Sequence, residues 1–125
     1  MPENMERRFS VARIYDPDPG GYRVLVDRLW PRGVSKDAAA LDEWARDVAP
    51  SGDLRRWYGH DPSRFEEFAR RYGEELGAEP AATVVDHLLD VAADRRVVLL
   101  TATRDVALSA ARVLADHLGQ RGRWS

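Results

Sequence analysis

The chain has 125 residues, 44 % of them hydrophobic and 32 % charged, with a formal net charge of -2. This is the composition of a single globular domain large enough to build a core, not of a disordered chain. The charge balance argues against a duplex-DNA binder, which is expected to be clearly basic, and the complete lack of cysteine removes disulfides, thiolate metal sites and a cysteine nucleophile.

No apolar stretch approaches the roughly 20 residues of a membrane span, and "MPENMERRFS" has no apolar signal-peptide core. A soluble, cytoplasmic protein with no membrane partner is expected, with one domain over residues 9–119 and loose ends at 1–8 and 120–125.

Ser10–Tyr15, "SVARIY", alternates like a half-exposed strand, and "DPDPGG" then breaks the chain. Tyr22–Asp27, "YRVLVD", reads as a second strand, either paired with the first as a hairpin or its neighbour without direct pairing. In "SKDAAALDEWARDV", Leu41, Trp44, Ala45 and Val48 fall at helical spacing, which predicts a helix stopped by Pro50. "SGDLRRWYG" reads as one further helical turn capped by Ser51 or Asp53. The clearest helix is "HDPSRFEEFARRYGEELG". Asp61 is its N-cap, Pro62 its first residue, and Phe65, Phe68, Ala69, Tyr72 and Leu76 form its apolar stripe. Glu66–Arg70 and Glu67–Arg71 are spaced to pair along it, and Gly77 is the expected left-handed cap.

Pro80 opens another helix to about Ala93, with Val84, Val85, Leu88 and Val91 inward. Val97–Thr101, in "RRVVLLT", shows no polar alternation, as in a strand buried on both faces. A last helix is predicted from about Asp105 to Gly119, packing Ala107, Ala110, Ala111, Leu114 and Leu118. This order gives an α/β domain with a short, mostly parallel sheet covered by helices on its faces.

The stretch "VDRLWPRG", Val26–Gly33, concentrates chemistry at the end of the second strand. Ligands of open α/β sheets bind outside the carboxyl ends of strands, where Asp27 would sit. Pro31 holds Trp30 extended, and alternate residues of an extended segment share a face, so Arg28, Trp30 and Arg32 project together. Two guanidiniums beside an indole suit a phosphate, sulfate or carboxylate. The structural alternative is that Trp30 caps the core and Arg28 pairs with a carboxylate such as Asp27. Gly33 suits a sharp turn or a close backbone approach.

"TATRD" has the same layout after the last strand. Thr101 and Thr103 offer hydroxyls, Arg104 a further positive charge, and Asp105 an N-cap. In "APSGDLRRWYGHD", Ser51 and Gly52 offer backbone N–H groups at a helix start, and His60 is a candidate general acid or base, or else a helix-entry residue bonded to backbone. His87 and His117 lie on helices. Three scattered histidines without carboxylate spacing make a weak metal signal, and neither a metal nor a cofactor is expected.

"VDRLWPRGVSK", "WARDVAPSGDLRRWYGHDPSRFEEFARRYGEEL" and "VVLLTATRD" before "AARVL" together resemble the YeaO-like family of small bacterial proteins, a domain of unknown function (family 488). The resemblance spans roughly Ser10 to Leu118. It implies an α/β fold and a cluster of Asp27, Arg28, Trp30, Pro31, Arg32, Gly33, Lys36, Pro50, Ser51, Trp57 and His60. Relatives typically carry an aromatic residue and a Lys-Asp pair after the last strand. Here Thr101 and Arg104 stand in place of the aromatic and the lysine, so a charge role survives there and a stacking role does not. More distant relatives carry cysteine in their strand-end loops, and this chain has none.

Two main expectations follow. One is an enzyme acting on a small anionic, phosphorylated or nucleotide-like substrate, held by Arg28, Arg32 and Arg104, with Asp27 or His60 moving a proton. The other is a non-catalytic module binding an anion or a protein through the same pocket. Single-stranded nucleic acid is a third, weaker reading, drawing on Trp30, Trp57, Arg55 and Arg56. Monomer and homo-oligomer are both left open.

Overall fold

The computed structural model describes residues 8–18 and 20–122. Its elements are β1 (Phe9–Arg13), β2 (Tyr22–Leu25), α1 (Lys36–Ala39), β3 (Glu43–Trp44), α2 (Gly52–Tyr58), α3 (Phe65–Leu76), α4 (Ala81–Asp94), β4 (Val97–Thr101) and α5 (Ala110–Gly122). Short 3-10 turns lie at Arg46–Val48, Pro62–Arg64 and Val106–Leu108. The four strands form one sheet in the order β1-β4-β2-β3, and every pairing is parallel. The α/β class is as expected.

The strand order follows from apolar content. All five residues of β4 are buried, so it needs cover on both faces and neighbours on both edges, and it takes a central place. Its neighbours are β1, with Phe9 opposite Val97, and β2, with Tyr22 opposite Val97. The hairpin reading of β1 and β2 is therefore corrected: they run parallel with β4 between them.

Side-chain alternation divides the core in two. Val24, Val97 and Leu99 face a large cluster built with Phe68, Tyr72 and Leu76 of α3, Val85 and Leu88 of α4, and Leu114 and Leu118 of α5. Leu25, Val98 and Leu100 face the other way, into a smaller cluster with Ile14, Trp30, Ala39, Leu41 and Trp44. The long helices thus cover one face. The other is covered by the segment after β2, whose helical part is a single turn. Each fully buried Leu or Val contributes roughly 1.5–3 kcal/mol relative to exposure.

The helix expected through Val48 is also corrected. α1 ends at Ala40, which is left-handed (φ 48°), and Glu43–Trp44 pairs with β2 as an edge strand. The Asp42 carboxylate and the Ala45 amide tie this stretch to Arg23 N and Leu25 O at 2.8 Å each. The reason lies in the packing. Leu41 and Trp44 are needed in the smaller cluster, Ala45 and Val48 in the larger, on opposite faces of the sheet. One helical stripe cannot serve both.

Asp61 accepts from Ser63 N at the start of the turn leading into α3, as expected. Glu67 takes both Arg70 and Arg71, and Arg70 also reaches Glu74, in place of a Glu66–Arg70 pair. Gly77 is right-handed (φ -84°), not a left-handed cap. Asp105 makes no side-chain capping bond. Instead the Ser109 hydroxyl accepts from Arg112 N and starts α5, which continues past Gly119 to Gly122. Of the expected loose ends, residues 1–7 and 123–125 lie outside the described residues. No helix among the described residues is long and apolar enough to cross a membrane.

Candidate functional site at the strand ends

Because the sheet is wholly parallel, all strand carboxyl ends open at one end of it, where α/β folds place ligands. Tyr15 after β1, Asp27–Arg32 after β2, Ala49 and Pro50 after β3, and Ala102 and Thr103 after β4 line one cleft of about 470 Å³. Arg55 and Tyr58 of α2, Phe68 of α3 and the start of α5 complete it. A second hollow of about 540 Å³ adjoins it, lined in part by Arg104 and Asp105. The two share Asp27, Tyr58, His60 and Thr103, so the loops after β2 and β4 meet in one crevice.

Asp27 stands at the junction. Its Oδ1 accepts from the Thr101 hydroxyl and its Oδ2 from the Ala102 amide, both at 2.7 Å. Its backbone carbonyl accepts from the Trp44 indole at 2.8 Å. Burial pushes the Asp27 carboxyl above the usual carboxylate range, opposed by the Ala102 and Thr101 bonds and by the charge of Arg55. It forms no ion pair with Arg28.

Arg28, Trp30 and Arg32 all line the inner cleft, but Leu29 and Pro31 line it too, so the expected alternation does not sort this segment into two faces. Arg28 is half-buried and its Nε has no hydrogen-bond partner. Trp30 serves the core as well. Its indole donates to Val34 O at 2.6 Å and sits edge-on to Trp44, with centroids 5.3 Å apart. The loop is pinned by the Tyr15 hydroxyl, which donates to Arg32 O. Gly33 provides a turn (φ +73°) and no close approach, since a Cβ there would meet nothing within 4 Å.

His60 lies on the rim of both hollows, exposed and left-handed at φ 56°. Its ring lies 6.0 Å from that of Tyr58. No backbone bond engages the imidazole. A non-glycine residue in that region is uncommon and carries some strain. Burial and the charges of Asp105 and Asp61 raise the Tyr58 phenol, which donates to Leu108 O at 2.7 Å.

Two expected site residues fall elsewhere. Ser51 caps α2, and its hydroxyl and amide both donate to the Glu75 carboxylate. Thr101 is buried beneath the cleft, and its hydroxyl holds Asp27 and accepts from Thr103 N. Both act through the fold and neither lines the cavity. Conversely, Arg55, expected only in the nucleic-acid reading, and Tyr58, not expected at all, both line it. The signal was available: Leu54 and Tyr58 mark the buried face of α2, and Arg55 borders that face three residues before Tyr58.

The charge pattern is uneven. Arg23, Arg56, Arg64, Arg70, Arg71, Arg112 and Arg121 pair with carboxylates, and Arg13, Arg46 and Arg95 lie over aromatic rings. Arg28, Arg32, Arg55 and Arg104, all on the crevice, have neither partner among the described residues. Among the described residues no group of three or more His, Asp or Glu is placed to hold a metal ion.

Sequence comparison matches residues 8–123 to a family described as the inactive DUF488-N3 subclade. The chain is 51 % identical over 120 residues to the uncharacterised protein Rv3073c of Mycobacterium tuberculosis, covering 93 % of this chain and 98 % of that one. It is 38 % identical over 111 residues to the uncharacterised protein YeaO of Escherichia coli, covering 87 % of this chain and 95 % of that one. No solved structure matches the chain. On the match along almost its whole length, the chain belongs to the YeaO-like DUF488 family, within the subclade described as inactive.

Proposed function

We propose that the crevice binds a small anionic ligand without transforming it. The observation that carries this is the gathering of Arg28, Arg32, Arg55 and Arg104, four guanidiniums without ion-pair carboxylates, around the strand-end crevice, while the other arginines among the described residues are engaged. Unpaired guanidiniums facing a partly desolvated cleft attract phosphate, sulfate or carboxylate, and their planar forks give such anions two parallel bonds each. Asp27 is held by two donors as a fixed acceptor. The Ser109 hydroxyl, also at the cleft, is bonded to Val106 O. Neither is set beside a base as a nucleophile would be. The description of the subclade as inactive supports the same reading.

A thermal-shift screen against phosphate, sulfate, carboxylates and sugar phosphates tests this, with Arg32→Ala alongside. A ligand at a hundred times its Kd adds about 2.7 kcal/mol. A selective shift lost in the variant is the expected result. No shift with any anion sinks the proposal. Catalysis has one observation in its favour, the raised carboxyl of Asp27 in a crevice whose rim carries His60. Turnover of a bound ligand that disappears in Asp27→Asn would move the conclusion to an enzyme.

A further inference from the structure

The crevice is much larger than an inorganic anion requires, and its inner part is not built for one. About 470 Å³ falls within the roughly 300–1,000 Å³ that encloses drug-sized organic ligands. Its lining includes Trp30 from the loop after β2, Tyr58 from α2 and Phe68 from α3, with Val26, Pro50 and Leu108 between the polar groups. Tyr58 and Phe68 are stacked on each other at 4.2 Å. Tyr58 and Phe68 are themselves buried and form the floor, so the partly exposed Trp30 ring and the apolar wall are what a bare phosphate at the arginines would leave wet. A ligand with a flat apolar body would cover them.

Charge narrows the class further. Across both hollows four guanidiniums face two carboxylates, Asp27 and Asp105, a formal surplus of two positive charges among the arginines and acids. A phosphate monoester carries about -1.5 to -2 near neutral pH, which matches that surplus better than a single carboxylate does. Asp27 adds a polar anchor of the opposite kind. Each oxygen takes one bond from the protein, at 2.7 Å, and a carboxylate oxygen has a second lone pair to offer. A ring N–H would satisfy it, whereas a second anion there would be repelled.

Resting on the anion-binding reading above, we propose that the ligand is a nucleoside monophosphate. Its base lies in the aromatic inner cleft with an N–H donated to Asp27, and its phosphate lies among the arginines.

Isothermal titration calorimetry on the full chain at low salt separates this from simple anion binding. The probes are AMP, GMP, CMP and UMP, the matching nucleosides, ribose 5-phosphate and inorganic phosphate. One stacked base adds roughly 5- to 150-fold in affinity. At least one monophosphate is therefore expected to bind about tenfold or more tightly than ribose 5-phosphate and phosphate. Arg32→Ala and Arg55→Ala, both exposed side chains, are expected to weaken that monophosphate and leave its nucleoside unchanged. Ribose 5-phosphate binding as tightly as every monophosphate overturns the nucleotide assignment and leaves the anion reading standing. A nucleoside binding as tightly as its monophosphate overturns the anion reading, and so does silence from all the phosphates.

Discussion

Arg23 and Arg32 are separated by a few residues of one connected stretch, and they show two uses of the same side chain. Arg23, in β2, is buried. Its guanidinium bonds the carbonyls of Ala39 at 2.8 Å and Ala40 at 3.2 Å and pairs with Asp18 at 3.1 Å. It clamps the end of α1 to the sheet and has little left to offer. Arg32 is exposed on the cleft with no carboxylate at ion-pair distance. The comparison extends along α3, where Arg70 and Arg71 share Glu67 and where Arg64 and Arg71 both lie over the Trp57 ring, at 5.3 and 4.3 Å. A guanidinium whose donors are used within the protein is part of the architecture. A set of them left unpaired around one concavity is a different feature, and it is what makes the strand-end crevice the binding candidate.

That distinction is broken most directly by removing each kind of arginine. Arg23→Met leaves two carbonyls without their donor, at about 1–3 kcal/mol for each acceptor that stays dry, so a loss of about 2–4 kcal/mol is expected in urea unfolding. Arg32→Ala is expected to change stability by no more than about 0.5 kcal/mol. Equal losses in the two variants would mean that Arg32 is structural too, and that the contrast fails. The next largest effect belongs to the floor of the crevice. Thr101→Val removes a buried hydroxyl that donates to half-buried Asp27, with an expected cost of about 1–3 kcal/mol. It should also raise the Asp27 carboxyl further, which NMR titration would detect. An unchanged Asp27 titration would show that the Thr101 bond does not tune this group.

Much of this arrangement is written locally. Asp61-Pro62 and the stripe Phe65, Phe68, Tyr72, Leu76 specify α3, and the unbroken apolar run of β4 specifies a central strand. What local signals do not carry is partnership between distant segments. The turn residues after Tyr15 fit a hairpin, but the decision between pairing β1 with β2 or with β4 rests on a strand some seventy residues further on. Leu41, Trp44, Ala45 and Val48 imitate a helix because period alone cannot tell one stripe from residues divided between two sheet faces. The site shows the same limit. Arg28, Trp30 and Arg32 do meet in one cleft, but Leu29 and Pro31 line it with them, so the position of the loop at the strand end, and not alternation along it, brings them there. The engagement of Ser51 by Glu75 is a contact across the chain that its own neighbourhood does not announce.

The paired and unpaired groups also separate by pH. His117 on α5 is half-buried with its Nε2 unpartnered, and burial together with the Arg121 charge lowers it below the ordinary histidine range. Its folded value lies under its unfolded one. The stability it permits is therefore full above about pH 6.5 and falls as pH drops through that point, because the unfolded chain takes up the proton first. Asp27 works with the opposite sign: its folded value is raised, so its burial is less unfavourable once acid protonates it, nearer the ordinary carboxylate range. Between about pH 7 and 5 the His117 contribution is one that lowers stability. His117→Gln is expected to flatten the loss of stability in that window. A slope unchanged by the variant would assign it to other groups.

The smallest effect sharpens the comparison from the paired side. Arg70 and Arg71 hold the Glu67 carboxyl down to about 2. A lowered folded value means stability that is present above the ordinary glutamate range and lost as pH falls toward about 2. All three side chains are in contact with solvent, so screening removes most of that Coulomb attraction and the net gain is small. Glu67→Gln should accordingly give the least change in melting temperature of the variants above, and the change should shrink as salt is raised toward 1 M. Its more telling effect is on Arg71, which lies over Trp57 as well. If the ring contact alone keeps Arg71 in place, the fluorescence of Trp57 will be unaltered in the variant. If the carboxylate is what positions it, that signal will change although stability hardly does. Pairing then acts on this surface mainly by fixing where a guanidinium points, which is the constraint that the crevice arginines lack within the protein.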